Sequence, residues 1–260
     1  MKLSGKVALV TGASSGIGRA SAIALAKEGA DIALNYLTMP ESAETAKKEI
    51  EALGRKCLLY PVDLVDHAAV ETMVSDAVNK LGKIDTLVSS AVFSDREMFH
   101  IADMKGFHKT IDVSMWGAFH ALRACTNQML KKGNGGNVVI VSSPHAVVPY
   151  PSCMAYNMAK AGLDMMAKTA AIELIKHNIR VNIVYPGWTD TPGERKFFAE
   201  DTLQKAGSFL PMGRLAQPEE IARGIVFLSD PDSAYITGSL LTIDGGGMLP
   251  WWSKRGTGDF

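Results

Sequence analysis

The sequence predicts an α/β fold, a doubly wound parallel sheet with helices on both faces. Three observations predict it. Short apolar, β-branched runs alternate with longer segments of helical period. Several of those runs are apolar at nearly every position, as strands covered on both faces must be. The intervening segments carry helix-start and helix-stop residues at their ends.

The strand candidates, in order, are Val7–Thr11, Asp31–Tyr36, Lys56–Val62, Thr86–Ser90, Gly136–Ser143, Arg180–Tyr185 and Leu240–Ile243. Between them, Gly16–Glu28 is rich in Ala and stops at Gly29, a helix-terminating glycine. Pro40–Leu53 opens with a first-turn proline and ends before Gly54. Asp66–Leu81 opens on an acidic cap and ends before Gly82. The helices Met104–Lys131, Met154–His177 and Pro218–Leu228 follow, with an interruption open in the first. Trp188–Met212 is long for a connection inside a compact domain, which marks a functional lid or a partly helical segment.

With 260 residues, 47% hydrophobic and 21% charged, the chain has enough apolar content to bury a substantial core, and disorder is excluded for the whole. No repeat or linker interrupts it, so one domain is expected over residues 1–260, with 250–260 as a tail. Lys+Arg and Asp+Glu both total 27. A net charge of zero gives no long-range pull on nucleic acid or an anionic membrane, and it favours self-association. Cys57, Cys125 and Cys153 lack Cys-x-x-Cys spacing, which argues against a disulfide framework or a zinc site. The start of the chain has no apolar signal core, and no stretch reaches transmembrane length. A reduced, cytoplasmic protein is expected.

The first strand runs into Thr11-Gly12-Ala13-Ser14-Ser15-Gly16-Ile17-Gly18. Gly12 permits the tight turn, Gly16 lets backbone approach a pyrophosphate, and Gly18 lets the helix pack on the sheet. The helix N-terminus offers free N–H groups and the positive end of its dipole to an anion. A glycine-rich turn alone is weak evidence; its place between a strand and an amphipathic helix makes it a dinucleotide site of the Rossmann kind.

Tyr156 and Lys160 stand four residues apart, on one helix face. A free phenol titrates near about 10, too high for efficient proton exchange at neutral pH. A nearby cation lowers it, so Tyr156 can act as general acid or base. Ser142 and Ser143 end the preceding strand at the same carboxyl edge as the glycine turn, where sites in such sheets lie.

These segments, with Val62-Asp63-Leu64, Pro186-Gly187, Thr191 and Asp244-Gly245-Gly246, resemble the short-chain dehydrogenase/reductase family over nearly the whole chain. The resemblance implies a seven-stranded parallel sheet, an NAD or NADP cofactor and a homotetramer or dimer. It implies Tyr156 as proton donor to a substrate carbonyl, Lys160 lowering its pKa and binding the nicotinamide ribose, and Ser143 bonded to the reacting oxygen. Gly12, Ser14, Ser15, Gly16, Ile17, Gly18, Tyr36, Asp63, Leu64, Ser90, Ala91, Pro186, Gly187, Thr189 and Thr191 would hold the cofactor. Asp63 would meet the adenine amine.

Two departures stand out. Where relatives continue the fourth strand as Asn-Asn-Ala-Gly, this chain has Ser89-Ser90-Ala91-Val92, and Val92 is expected to narrow or reshape the site. A fourth catalytic position, usually Asn, falls on Ser114; the family role there is to hold a water through a distorted helix. The second strand ends in Asn35-Tyr36-Leu37-Thr38, without the Asp that binds ribose hydroxyls and repels a 2′-phosphate. NADP(H) is therefore favoured over NAD(H), with dual use open, and Ser14, Asn35 and Thr38 are candidate phosphate contacts.

Substrate-side candidates are Phe93, His145 and Trp188, with Trp116 more suited to core or interface. His145 reads either as a substrate contact or as a hydrogen-bonded loop histidine. Asp190, Glu194 and Arg195 make the lid polar, which suits a sugar or polyol and resembles glucose 1-dehydrogenases. A 3-oxoacyl thioester reductase is the competing enzyme reading, and a catalytically weak cofactor-binding regulator the competing class. The Met-rich run Met154, Met158, Met165 and Met166 is expected at a helix interface, and Trp251-Trp252 in the tail either on a neighbouring subunit or docked on its own.

Overall fold

A computed structural model describes residues 1–250. In chain order its main elements are β1 (Val7–Val10), α1 (Gly16–Lys27), β2 (Asp31–Tyr36), α2 (Pro40–Ala52), β3 (Cys57–Pro61), α3 (His67–Leu81), β4 (Thr86–Ser89), α4 (Met104–Ile111), α5 (Gly117–Lys132), β5 (Gly136–Val141), α6 (Met154–Leu174), β6 (Ile179–Pro186), α7 (Glu200–Ser208), α8 (Pro218–Ser229) and β7 (Leu240–Ile243). The seven strands form one sheet in the order β3-β2-β1-β4-β5-β6-β7, every pair parallel. All seven strand candidates are strands, and the expected doubly wound α/β architecture is what the chain adopts.

Register follows from burial on two faces. Successive residues of β1 enter different cores: Leu9 joins Leu87, Val138, Ile140 and Ile183 under α3, α5 and α6, while Val10 joins Ile32, Leu34, Val139 and Val184 under α1, α2 and α8. Each such buried Leu, Ile or Val contributes about 1.5–3 kcal/mol relative to exposure, so a one-residue slip of register is strongly disfavoured. The strand order turns back between β1 and β4. Their following loops diverge and leave a crevice at the carboxyl edge.

Local chemistry fixes the helix ends. The Asp66 side chain accepts from the Ala69 N–H at 3.0 Å to start α3, which stops at left-handed Gly82. Pro218 opens α8, and Glu220 reaches back to the Gln217 N–H at 2.8 Å.

Two segments depart from a plain strand-and-helix alternation. The helix expected over Met104–Lys131, open to interruption, is broken by a π-helical turn, Asp112–Trp116, between α4 and α5. Gly117 follows it because a Cβ there would lie 2.9 Å from the Leu64 Cβ. The lid is partly helical, with a short turn at Glu194–Lys196 followed by α7. No helix among the described residues is long and apolar enough to cross a membrane. The Trp251-Trp252 contact lies outside the described residues.

Candidate active site

The turn after β1 is packed to glycine dimensions. A Cβ on Gly12 would lie 2.7 Å from the Ala91 Cα, one on Gly18 would overlap the Gly12 carbonyl, and one on Gly16 would come 3.1 Å from the Thr191 methyl. Thr11 ties the turn to β4: its hydroxyl accepts from the Ser90 and Ala91 N–H groups at 3.0 and 3.2 Å. Ser15 sits in extended conformation at the start of α1, with no side-chain cap on the first-turn N–H groups. Ser14 is buried, and its carbonyl accepts from the Ser42 hydroxyl at 2.5 Å. Ile17 packs against the core under α1. A backbone cradle with uncapped donors at a helix start suits a pyrophosphate.

The other cofactor candidates line the same edge. Tyr36 ends β2, half-buried. Asp63 is exposed after β3, its carboxylate accepting from the Val65 N–H at 3.0 Å, and Leu64 is buried beside it. Pro186 ends β6, and a Cβ on Gly187 would lie 2.5 Å from the Asp244 Cα. Thr189 is buried and donates to the Gly187 carbonyl at 2.8 Å. Asn35 is not a phosphate contact. It is buried, with its amide donating to the Tyr60 and Val62 carbonyls at 3.3 and 2.9 Å and its oxygen facing the Gly12 N–H, so both ends serve the backbone.

Across the crevice, α6 carries Tyr156 and Lys160 on one face, beside Ser143 just beyond β5. Burial pushes the Tyr156 phenol above its ordinary value, against the pull of the Ser143 hydroxyl. Burial outweighs any pull from the neighbouring cation. The reason is geometric: the Lys160 ammonium lies 5.3 Å from the Tyr156 ring centroid and donates to the Val141 carbonyl at 2.7 Å. Burial lowers Lys160 itself to about 8, opposed by Asp164.

Asp164 was missed in the sequence reading, although the signal was there. Tyr156, Lys160 and Asp164 repeat at four-residue intervals on one helix. Its buried carboxylate accepts from the Ser142 hydroxyl at 2.6 Å and from the Tyr185 phenol. The pair below the phenol is thus a charge-compensated network anchored to β5 and β6.

Ser114 lies in the π-helical turn, fully buried. Its hydroxyl accepts from the Phe93 N–H at 3.0 Å and donates to the Phe93 carbonyl at 2.6 Å. Val92 is half exposed, and the close approach to Gly12 is made by Ala91.

The substrate side is aromatic and polar. His145 stacks on Tyr150 at 4.2 Å and meets the Tyr156 ring edge-on at 5.0 Å. Its Nδ1 pairs with the Asn157 side-chain oxygen at 2.7 Å, and Asn157 donates onward to the Tyr150 carbonyl at 3.0 Å. Burial holds the imidazole below its ordinary value, so it is neutral at pH 7. Trp188 donates to Glu194 at 3.0 Å, while Phe93 lies under the Lys109 ammonium. Trp116 is not part of this group; it faces outward against Phe119. Asp190 and Arg195 pair with each other at 2.7 Å on the outer lid. Glu194 turns inward to Arg96, a residue with no local motif to mark it.

A glycine-rich turn at a helix start, with a hydroxyl, a phenol and a buried ammonium at the same carboxyl edge of one parallel sheet, is the constellation of an NAD(P)-dependent oxidoreductase of alcohols and carbonyls. The family profile described as enoyl-(acyl carrier protein) reductase matches residues 12–247. The L-rhamnose 1-dehydrogenase (NAD(P)(+)) of Sphingomonas sp. (strain SKA58) is 38% identical over 245 residues, 94% of this chain and 96% of that protein. A 3-oxoacyl-[acyl-carrier-protein] reductase of Thermotoga maritima is 37% identical over 246 residues, 95% of this chain and 99% of that protein. The solved carveol dehydrogenase of Mycobacterium avium, in complex with NAD, superposes with a TM-score of 0.90 at 28% identity, over 95% of this chain and 99% of that one. The chain belongs to the short-chain dehydrogenase/reductase family.

Proposed function

We propose that the chain is a single catalytic domain that interconverts a carbinol and a carbonyl on a sugar, polyol or similar small polar molecule. The observation that carries this reading is the polar lid turned onto the phenol side of the crevice, with Glu194 held by Trp188 and Arg96. The similarity to a sugar dehydrogenase supports it.

The cofactor fits the residues present. Gly12, Ser14, Ser15, Gly16, Ile17 and Gly18 would hold the pyrophosphate; Tyr36, Asp63 and Leu64 the adenosine end; Ser90, Ala91, Tyr156, Lys160, Pro186, Gly187, Thr189 and Thr191 the nicotinamide end. When bound, the nicotinamide supplies or accepts the hydride. In reduction, Ser143 donates a hydrogen bond to the carbonyl oxygen and orients it, and Tyr156 delivers the proton to that oxygen as it becomes an alcohol. A phenol held above its ordinary value is protonated at neutral pH, which is the form this step uses. Oxidation runs the same proton path backwards. Ser114 holds the Phe93 peptide and acts on the site through that loop.

Missing acidic residues at the end of β2 support NADP(H) over NAD(H), with both accepted. Trp116, Phe119, Met158, Met165 and Ile172 expose apolar side chains along α5 and α6, which supports assembly as a homotetramer or dimer through that face. Three buried free cysteines support a reduced, cytoplasmic setting.

The test is a panel of aldoses, polyols and 3-oxoacyl thioesters with each nicotinamide cofactor, followed by nicotinamide absorbance. Turnover of a sugar or polyol with the highest kcat/KM is expected. Preference for a 3-oxoacyl thioester would replace this reading with the reductase one.

A further inference from the structure

Two segments bracket the mouth of the crevice, and one ion pair joins them. Arg96, in the loop after β4, donates to Glu194, in the lid after β6, at 3.2 Å; each side chain is only about one-fifth exposed, 23% and 21%. The second Glu194 oxygen accepts from the Trp188 indole at 3.0 Å. The Arg96 guanidinium lies 3.8 Å over the Phe197 ring, and Trp188 packs on Phe198 at 5.4 Å. The neighbouring residue Glu97 bridges to Cys153, at the start of α6, which anchors Arg96 beside the turn that carries Tyr156. The Arg96 Nε is buried and has no partner among the described residues, and the same is true of the Ser94 hydroxyl two residues earlier.

A half-buried ion pair surrounded by Trp and Phe adds little to stability, because apolar side chains of similar volume would pack there as well. A buried donor left without an acceptor is costly. Both facts fit a pair whose partner is a ligand. Its net charge is zero, and it offers a donor and an acceptor side by side. A hydroxyl matches that, accepting from Arg96 and donating to Glu194. A substrate carboxylate would meet the Glu194 charge, and an acyl chain would leave the orphaned donors unmet.

We propose that Arg96 and Glu194 are the specificity-determining pair of this enzyme, reading a neutral hydroxyl on the non-reacting part of the substrate. The inference rests on the sugar or polyol reading and names the residues that would produce it. Phe197 and Trp188 form the apolar wall against which the C–H face of a ring would lie.

The test compares kcat/KM for L-rhamnose and D-glucose with that for cyclohexanol, in wild type, Arg96→Met and the near-isosteric Glu194→Gln. Nicotinamide fluorescence on binding is read in parallel, to show that each variant keeps its cofactor site. The sugar-to-cyclohexanol ratio is expected to fall about tenfold or more in both variants, chiefly through KM for the sugar, because a site built to bond a hydroxyl loses most on the substrate that carries it. Equal losses on sugar and cyclohexanol would make the pair a structural latch and overturn the proposal. No loss on either would do the same. Wild type that turns over cyclohexanol but neither sugar would overturn the sugar reading itself.

Discussion

Ser114 holds Phe93 on both sides of its Cα, the Phe93 N–H giving to the hydroxyl and the hydroxyl giving to the Phe93 carbonyl. The side chain at the position where relatives carry a catalytic Asn is therefore occupied in fixing the loop after β4. Ser114→Ala leaves the half-buried Phe93 N–H and carbonyl without their partner and should cost about 1–3 kcal/mol in denaturant unfolding. Turnover should fall less than about tenfold, with an unchanged pH–rate profile. A loss of a hundredfold with a displaced pH limb would show the hydroxyl to be in the proton path.

Tyr156→Phe keeps the ring that packs against His145 and removes only the phenol oxygen. Turnover should drop about 10²–10⁴-fold, the range for losing a positioned general acid. Cofactor affinity, followed by nicotinamide fluorescence, should stay within about threefold of wild type, since this substitution removes a single hydroxyl.

The Lys160–Asp164 pair gives a pH dependence with a defined sign. Lys160 titrates at about 8 in the folded chain against an ordinary 10.5. Below about 8 it is charged in both folded and unfolded states, and the cost of burying that charge is fully present. Between about 8 and 10.5 the folded chain has released the proton and the unfolded chain still holds it, so this contribution to stability rises with pH. Lys160→Met should remove that rise, a difference of roughly 3–4 kcal/mol across the window in denaturant unfolding. Asp164→Asn removes the charge that opposes the shift, so the rise should begin at lower pH. An unmoved onset would mean that Asp164 does not set the Lys160 ionisation.

The sequence made the strands legible because burial on both faces leaves apolar runs, as in Ile32–Leu34 and Val138–Val141. It made the glycine turn, Ser143 and the Tyr156–Lys160 spacing legible because each is a local pattern. Strand order is not legible in the sequence, since pairing β1 with both β2 and β4 is a long-range fact. The partnership of Arg96 with Glu194 is illegible for the same reason, being made across 98 residues of chain. Asn35 was misread because a polar residue at a strand end resembles a ligand contact, whereas its amide is consumed by the Tyr60 and Val62 carbonyls. The π-helical turn carries no periodic signature, as it adds one residue to an otherwise helical run.

The outer face of α5 and α6 supplies another prediction. Met165 is 64% exposed and Ile172 74%, an arrangement that a lone chain in water gains nothing from. Met165→Glu places a charge in the centre of that face. Light scattering should show a shift to smaller species, with circular dichroism unchanged. An unaltered mass would place any subunit contact elsewhere.

A choice of cofactor made at the end of β2 would fall to the two residues that end the strand and follow it. Tyr36 is half-buried at the strand end, and Leu37 is exposed, without an acidic neighbour to hold ribose hydroxyls. An exposed position tolerates a new side chain, so Leu37→Arg tests charge alone. A guanidinium there should bind a 2′-phosphate in bidentate fashion and lower KM for NADP(H) about tenfold, with little effect on NAD(H). Tyr36→Asp should act in the opposite sense, accepting from ribose hydroxyls and repelling the phosphate. Steady-state kinetics with each cofactor separate the two effects. If both variants moved NAD(H) and NADP(H) together, the end of β2 would not be where this chain distinguishes them.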